Sequence, residues 1–261
     1  YLWRYQGPSS TIYLAGSIHA MKAGMYPLPN QYAQAFAASQ TLVMEVDQEK
    51  TPSAELQATL LRYARLSPGQ SLRQSMDSDT YASLVTAGIE FGIPFGQMQG
   101  FKPAFAYQQL SLMSLVALGY DPELGVENHF IRQMHNGAEG PKHILELESL
   151  GLQFDVLFNQ PIDVQIAVLK DALTELDNIE PMTAALMREY MSGDDQAMAA
   201  TITDQVGNNP LSQHFAYTLL QQRNLGMARK IAALLDAQGN FFVLVGAAHL
   251  AGAQSIIELL E

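Results

Sequence analysis

The sequence predicts an α/β protein with a small mixed, mostly parallel central sheet and large helical insertions. Four short apolar, partly β-branched runs read as strands buried on both faces, as in parallel sheets. Long segments with apolar residues spaced three and four apart lie between them. No low-complexity segment, tandem repeat or flexible linker divides the 261 residues. At that length one core can bury most of its apolar surface. A single domain over 1–261 is expected, with α/β core segments near 1–50, 141–150 and 240–261 and helical insertions near 51–140 and 151–239.

The elements follow in order. "LWRY" (Leu2–Tyr5) stands before "GPSS" and predicts a hairpin partner for the first strand, Thr11–Gly16, which makes the sheet mixed. "NQYAQAFAAS" follows Pro29 and reads as a helix with a cap candidate at Asn30. Thr41–Val46 ("TLVMEV") is the second strand. "SDTYASLVTAGIEF" opens with a cap candidate at Ser78. "PAFAYQQLSLMSLVALG" starts at Pro103, a favoured first helical position, and stops at Gly119. His143–Leu147 ("HILEL") is the third apolar strand. "PIDVQIAVLKDALTEL" and "LSQHFAYTLLQQRNLGMARKIAALLDAQG" keep helical spacing throughout. Phe241–Gly246 ("FFVLVG") is the last strand, and "AGAQSIIELLE" reads as a helix directly after it.

Composition narrows the function. Acidic residues outnumber basic ones 26 to 14, giving a formal charge of −12 with no Lys/Arg cluster. Nucleic acid and anionic membrane surfaces both need a cationic face, so neither is an expected partner. With no cysteine, thiol nucleophiles, thiolate metal sites and disulfides are excluded. No apolar run approaches the ~20 residues of a membrane span. The chain begins at "YLWRYQ" without an initiator methionine or signal peptide, which fits a mature or trimmed form.

One pattern occurs twice. "IYLAGSIH" (Ile12–His19) and "FVLVGAAH" (Phe242–His249) each place a histidine three residues after a glycine that ends an apolar run. Gly16 and Gly246 mark strand exits, where the chain turns or another group approaches closely. His19 and His249 then lie past the carboxyl ends of their strands, where open α/β sheets bind ligands. If the first and last strands are parallel neighbours, both imidazoles meet in one crevice. Carboxylates stand at the ends of the other two strands: Glu45 and Asp47, Glu146 and Glu148. Asp47 and Glu146 read as solvated strand ends. Glu45, among Val43, Met44 and Val46, is either a paired, chemically engaged acid or a solvated end. Glu148 is either a site residue or a dipole partner of the following helix.

Two histidines and two or three carboxylates at strand ends are the materials of a metal site for Mn, Co, Fe or Zn, which would activate water for hydrolysis. The same groups without metal would do general acid–base work. HExxH, GxSxG, the P-loop and GxGxxG are all absent. His135 and His143 read as solvated, His129 and His214 as partly packed, and the 12 methionines as core filler.

The ordered set "TIYLAGSIHAMKAGMYPLP", "ASQTLVMEVD", "GYDPELGVENHF…HILELESLGLQ", "MREYMSGDD" and "RNLGMARKIAALLDAQGNFFVLVGAAHLAG" resembles the TraB/GumN family, which includes the Tiki-type membrane metalloproteases. The resemblance implies a core related to the erythromycin-esterase and ChaN-like folds, with the paired GxxH segments forming the active site. It implies His19 and His249 as metal ligands or bases, and Glu45 and Glu148 as further ligands or the general base, with Glu45 completing a metal set. Arg223 would stabilise developing negative charge or bind a substrate carboxylate, and Gly16, Ser17, Gly246 and Asn224 would line the substrate site. Glu127 falls where the family more often has aspartate, and a structural role at a helix start fits it as well. Phe105 replaces a tryptophan in the pocket wall. The implied activity is a metal-dependent hydrolase acting on peptides, with a metal-free esterase-like hydrolase, or a peptide- or haem-binding or signalling module, as alternatives. The implied compartment is periplasmic or envelope-associated.

Overall fold

The structure, a computed structural model, describes residues 1–261 except 48, 137–139 and 142. Five strands form one sheet: β1 (Leu2–Gln6), β2 (Ser10–Ser17), β3 (Thr41–Met44), β4 (His143–Glu146) and β5 (Gly239–Gly246), in the order β1-β2-β5-β3-β4. β1 pairs with β2 antiparallel, with Leu2 opposite Ala15, and the other neighbours are parallel. The expected α/β class and mixed, mostly parallel sheet are what the chain forms.

The three inner strands are the buried ones. Ile12, Leu14, Leu42 and Phe242 have no exposed surface, and Val243, Leu244 and Val245 have 1% or less. The helices Asn30–Ala37 and Val126–His135 bring Phe36 and Phe130 onto Phe242, with ring centroids 4.7–5.5 Å apart. The helix Gln221–Leu235 packs against β2 and contributes Met227 and Ile231, both fully buried. The insertions build their own cores: Leu72, Leu84, Phe95, Leu110 and Leu169 form one, and Ala64, Phe105, Phe154 and Phe158 another.

Several details depart from the sequence expectation. β3 and β4 stop short, so Glu45 lies one residue past β3 and Glu148 two past β4; strand alternation therefore does not orient Glu45 and Asp47. β4 is an edge strand, half open to solvent, with Leu145 46% exposed. An edge buries one rim less than a central strand, and four apolar letters cannot announce which edge they occupy. Asn30 and Ser78 are the first residues of their helices, not the caps. Pro29 takes the cap position in one case; in the other the Asp77 carboxylate accepts the N–H groups of Asp79 and Thr80. The long helix expected from Leu211 onward breaks at Leu220 into Pro210–Leu219 and Gln221–Leu235. After β5 a short 3-10 turn, Ala247–Leu250, precedes the last helix, Ile256–Leu260. His214 is exposed instead of packed. Among the described residues no helix is long and apolar enough to cross a membrane.

Candidate functional site

The sheet order makes β2 and β5 parallel neighbours, with Ser17 opposite Gly246. Both GxxH segments therefore leave the sheet at the same end. β3 lies on the other side of β5, with Met44 opposite Leu244, so Glu45 emerges beside the β5 exit. The chain then runs from β4 into Glu148, whose N–H donates to the Glu45 carbonyl at 2.8 Å. Four strand ends thus deliver His19, His249, Glu45 and Glu148 to one rim.

His249 is buried on the turn after β5, 4% exposed. Asn224 fixes its proton. The Asn224 Nδ2 donates to the Gln254 carbonyl at 2.8 Å, so its Oδ1 faces the ring and must accept from His249 Nδ1 at 2.6 Å. Nε2 is left with its lone pair, 3.8 Å from Glu45 Oε1. Burial holds this imidazole well below its usual range, at about 4, although the Glu45 charge pulls the other way. It is neutral at pH 7.

His19 has the opposite character. Its Nδ1 meets Glu127 Oε1 at 2.7 Å, and Ser17 Oγ donates to the same oxygen at 2.5 Å. The Glu127 charge and hydrogen bond push His19 up to about 9, and His19 in turn helps hold the Glu127 carboxyl down against its burial. The His19 ring is 79% exposed, so water screens part of this coupling. The segment is anchored by the Val126 N–H, which donates to the Ile18 carbonyl at 3.0 Å. Glu127 therefore serves both readings open to it: it lies in the first turn of its helix, and it orients a site histidine.

Arg223 joins the carboxylates. Its Nε and Nη2 donate to Glu148 at 2.6–3.2 Å, and Nη2 also to Glu45 Oε2 at 2.6 Å. Gln153 Nε2 donates to the same Glu45 oxygen at 3.1 Å, and the Gly246 N–H donates to Glu45 Oε1 at 2.7 Å. Burial opposes ionisation of Glu45, yet His249, Arg223 and the Gly246 amide hold it down at about 2. Because His249 is itself neutral above about 4, Arg223 and Gly246 carry that effect at neutral pH.

The structure brings His19, His249, Glu45, Glu148, Arg223, Asn224, Ser17 and Gly246 together, but several take tasks other than those expected. Arg223 is only 8% exposed and clamps two carboxylates, which leaves it poorly placed to meet a substrate anion. Asn224 aims His249 instead of lining the substrate space. Gly16 N–H donates to the Tyr1 carbonyl and Gly16 O accepts from Tyr190 Oη, so its backbone is engaged inside the fold. Gly246 is a close-approach glycine: a Cβ there would lie 3.3 Å from Glu45 Oε1. Phe105 is buried against Phe101 and Phe158 in an insertion core.

The expected metal set of His19, His249 and Glu45 fits this arrangement poorly. Among the described residues no three His, Cys, Asp or Glu side chains are placed to hold an ion. Both Glu45 oxygens already accept hydrogen bonds, and a guanidinium stands where a divalent cation would need uncompensated negative charge.

Sequence reasoning missed three contributors: Glu127 as the partner of His19, Gln153 as a donor to Glu45, and Tyr190 as the anchor of the Gly16 carbonyl. All three stand in segments already singled out, but helix-borne residues carry no local mark of a partner one hundred positions away.

No curated protein and no solved structure matches the chain. The model of the TraB/PrgY/gumN family matches residues 1–261, from the first strand through both histidine motifs to the last helix, and the chain belongs to that family.

Proposed function

We propose that the chain is a hydrolase that splits an ester or amide bond, peptide bonds included, by general acid–base chemistry between its two GxxH histidines. One observation carries this reading: two imidazoles at neighbouring strand exits are driven to opposite protonation states, His249 neutral and His19 protonated at pH 7. Pairs of titratable groups pushed apart in this way are how a site separates its base from its acid.

In this reading His249 Nε2 takes the proton of an attacking water. The Asn224 carbonyl holds the ring in the required tautomer, and the Glu45 charge 3.8 Å away stabilises the imidazolium that forms. Glu45 is too far to accept that proton through a direct hydrogen bond. His19, exposed and paired with Glu127, hands its proton to the leaving group, and the Glu127 carboxylate stabilises its protonated form. Arg223 and Gln153 position Glu45 and touch no substrate. No step is routed through a metal. A periplasmic or envelope setting belongs to the same proposal.

The test is hydrolysis of an activated ester and a quenched-fluorescent peptide mixture by purified protein, with and without chelator. His249→Ala and His19→Ala are expected to abolish turnover, by about 100-fold or more, while chelator leaves it intact. Activity lost to chelator and restored by Mn, Co, Zn or Fe would return the metal-dependent peptidase. Stoichiometric peptide or haem binding without product would favour a binding module.

A further inference from the structure

Away from the sheet, the helices Ile162–Thr174, Ile179–Ser192 and Asp195–Val206 enclose a groove of about 600 Å³. Its described lining holds three carboxylates, Asp171, Glu175 and Asp204, and no Lys, Arg or His. Met182, Ala185 and Val206 add apolar surface. The carboxylates are fixed without being neutralised. Asp171 Oδ2 accepts from Ser212 Oγ at 2.5 Å and Asn209 Nδ2 at 3.0 Å, and Glu175 Oε2 from Asn178 Nδ2 at 2.9 Å.

A second observation is independent of that acidity. Glu189 is only 7% exposed. It stands four residues beyond Ala185 and seven beyond Met182, on the stripe of its helix that faces the groove. Its Oε1 accepts from the hydroxyl of Thr201 at 3.0 Å, and Thr201 itself lines the groove from the opposite helix. Its Oε2 is buried without a hydrogen-bond partner. Arg188 lies 3.7 Å from Oε1 but is 72% exposed, where water screens it. Native proteins rarely leave such a group orphaned, and each case calls for an explanation.

We propose that this groove binds a linear alkyl polyamine, with ammonium groups against Asp171, Glu175 and Asp204 and methylenes along Met182, Ala185 and Val206. The field of the buried Glu189 carboxyl adds to the attraction at the closed end. Spaced charges on a flexible apolar chain match this wall better than a compact ion does, since no three of these acids are placed to share a metal.

Isothermal titration of the whole protein with spermidine tests this, with Mg²⁺ at matched ionic strength as control. Saturable one-site binding below the millimolar range is expected, weakened at least about tenfold by the surface pair Asp204→Asn/Glu175→Gln. Glu189→Gln keeps an acceptor for Thr201 and is expected to weaken binding also; if it fails to fold, the surface pair alone decides. No saturable heat, equal binding by the surface pair, or equal displacement by Mg²⁺ overturns the proposal. The groove is separate from the histidine rim, so neither reading fails with the other.

Discussion

Replacing Arg223 by methionine tests whether the buried clamp holds the rim together. The side chains of Arg223, Glu45 and Glu148 are 8%, 15% and 4% exposed. Removing the cation leaves two carboxylates in a poorly solvated place. Breaking a buried pair by deleting one partner costs about 3–5 kcal/mol. Glu45 gives a similar figure by a second route: its pKa is held at about 2 against a model value of 4.5, which at ~1.4 kcal/mol per unit is about 3 kcal/mol. For a chain of this size the melting temperature is expected to fall by about 6–20 °C at pH 7. The pH dependence follows from the sign. A depressed carboxylate pKa contributes stability that is full above the unfolded value and is lost as pH falls toward the folded one. The deficit of Arg223→Met is therefore largest above about pH 5 and shrinks between about 4.5 and 2. The triple variant Arg223→Met/Glu45→Gln/Glu148→Gln is expected to regain most of the loss, because no charge is left unpaired. Thermal or urea unfolding from pH 3 to 8 reads all of this. A single variant within about 1 kcal/mol of the parent at pH 7, or a deficit unchanged at pH 3, would refute the clamp.

Other outcomes follow from the same geometry. The kcat/KM profile should rise through an apparent pKa of about 4 and fall through one of about 9, the limbs belonging to His249 and His19. Glu127→Gln removes the charge that raises His19, so its alkaline limb should move down toward the ordinary imidazole range; a limb that stays in place counts against His19 as the acid. Asn224→Ala frees the His249 ring and should lower kcat roughly 10- to 100-fold with little change in KM; an unchanged kcat would show that the tautomer is set elsewhere. At Gly125, a Cβ would stand 2.4 Å from the His19 carbonyl oxygen, so Gly125→Ala should push apart the His19 segment and the helix bearing Glu127, seen as a lowered His19 pKa in an NMR titration. An unaltered titration would mean that the neighbouring backbone yields.

The strands were legible because burial on both faces leaves an unbroken apolar run, as in "FFVLVG", and the twin histidine motif was legible because each run ends in the same way. Their meeting in space depended on sheet order, which no local signal states. The break at Leu220 illustrates the limit: "LLQQR" keeps helical spacing and has no Gly or Pro, yet the backbone there turns to φ −111° and ψ −76°. Arg223 was read as a group facing substrate because a sequence shows charge but not burial. Only the placement of Glu148 one strand away converts that charge into a clamp. Glu127 was ambiguous for a related reason. An acid in the first turn of a helix is explained well enough by the dipole, and its partner His19 lies 108 positions earlier (127 − 19).

The hydrogen-bond network gives a reason for the distribution of site residues over the whole chain. The two histidines sit on adjacent strands, but each is oriented by a group from a helical insertion: Glu127 from the first, Asn224 from the second. Arg223, next to Asn224 on the same helix, binds that insertion to the ends of β3 and β4 through Glu45 and Glu148. The helix that aims the neutral histidine is thus anchored to the carboxylate that would stabilise its protonated form. Losing Arg223 should displace the proton acceptor and its counter-charge together. A partly destabilised Arg223→Lys protein, fully folded at low temperature, is therefore expected to lose activity out of proportion to its unfolded fraction. Activity that merely tracks the folded fraction would separate the clamp from the chemistry.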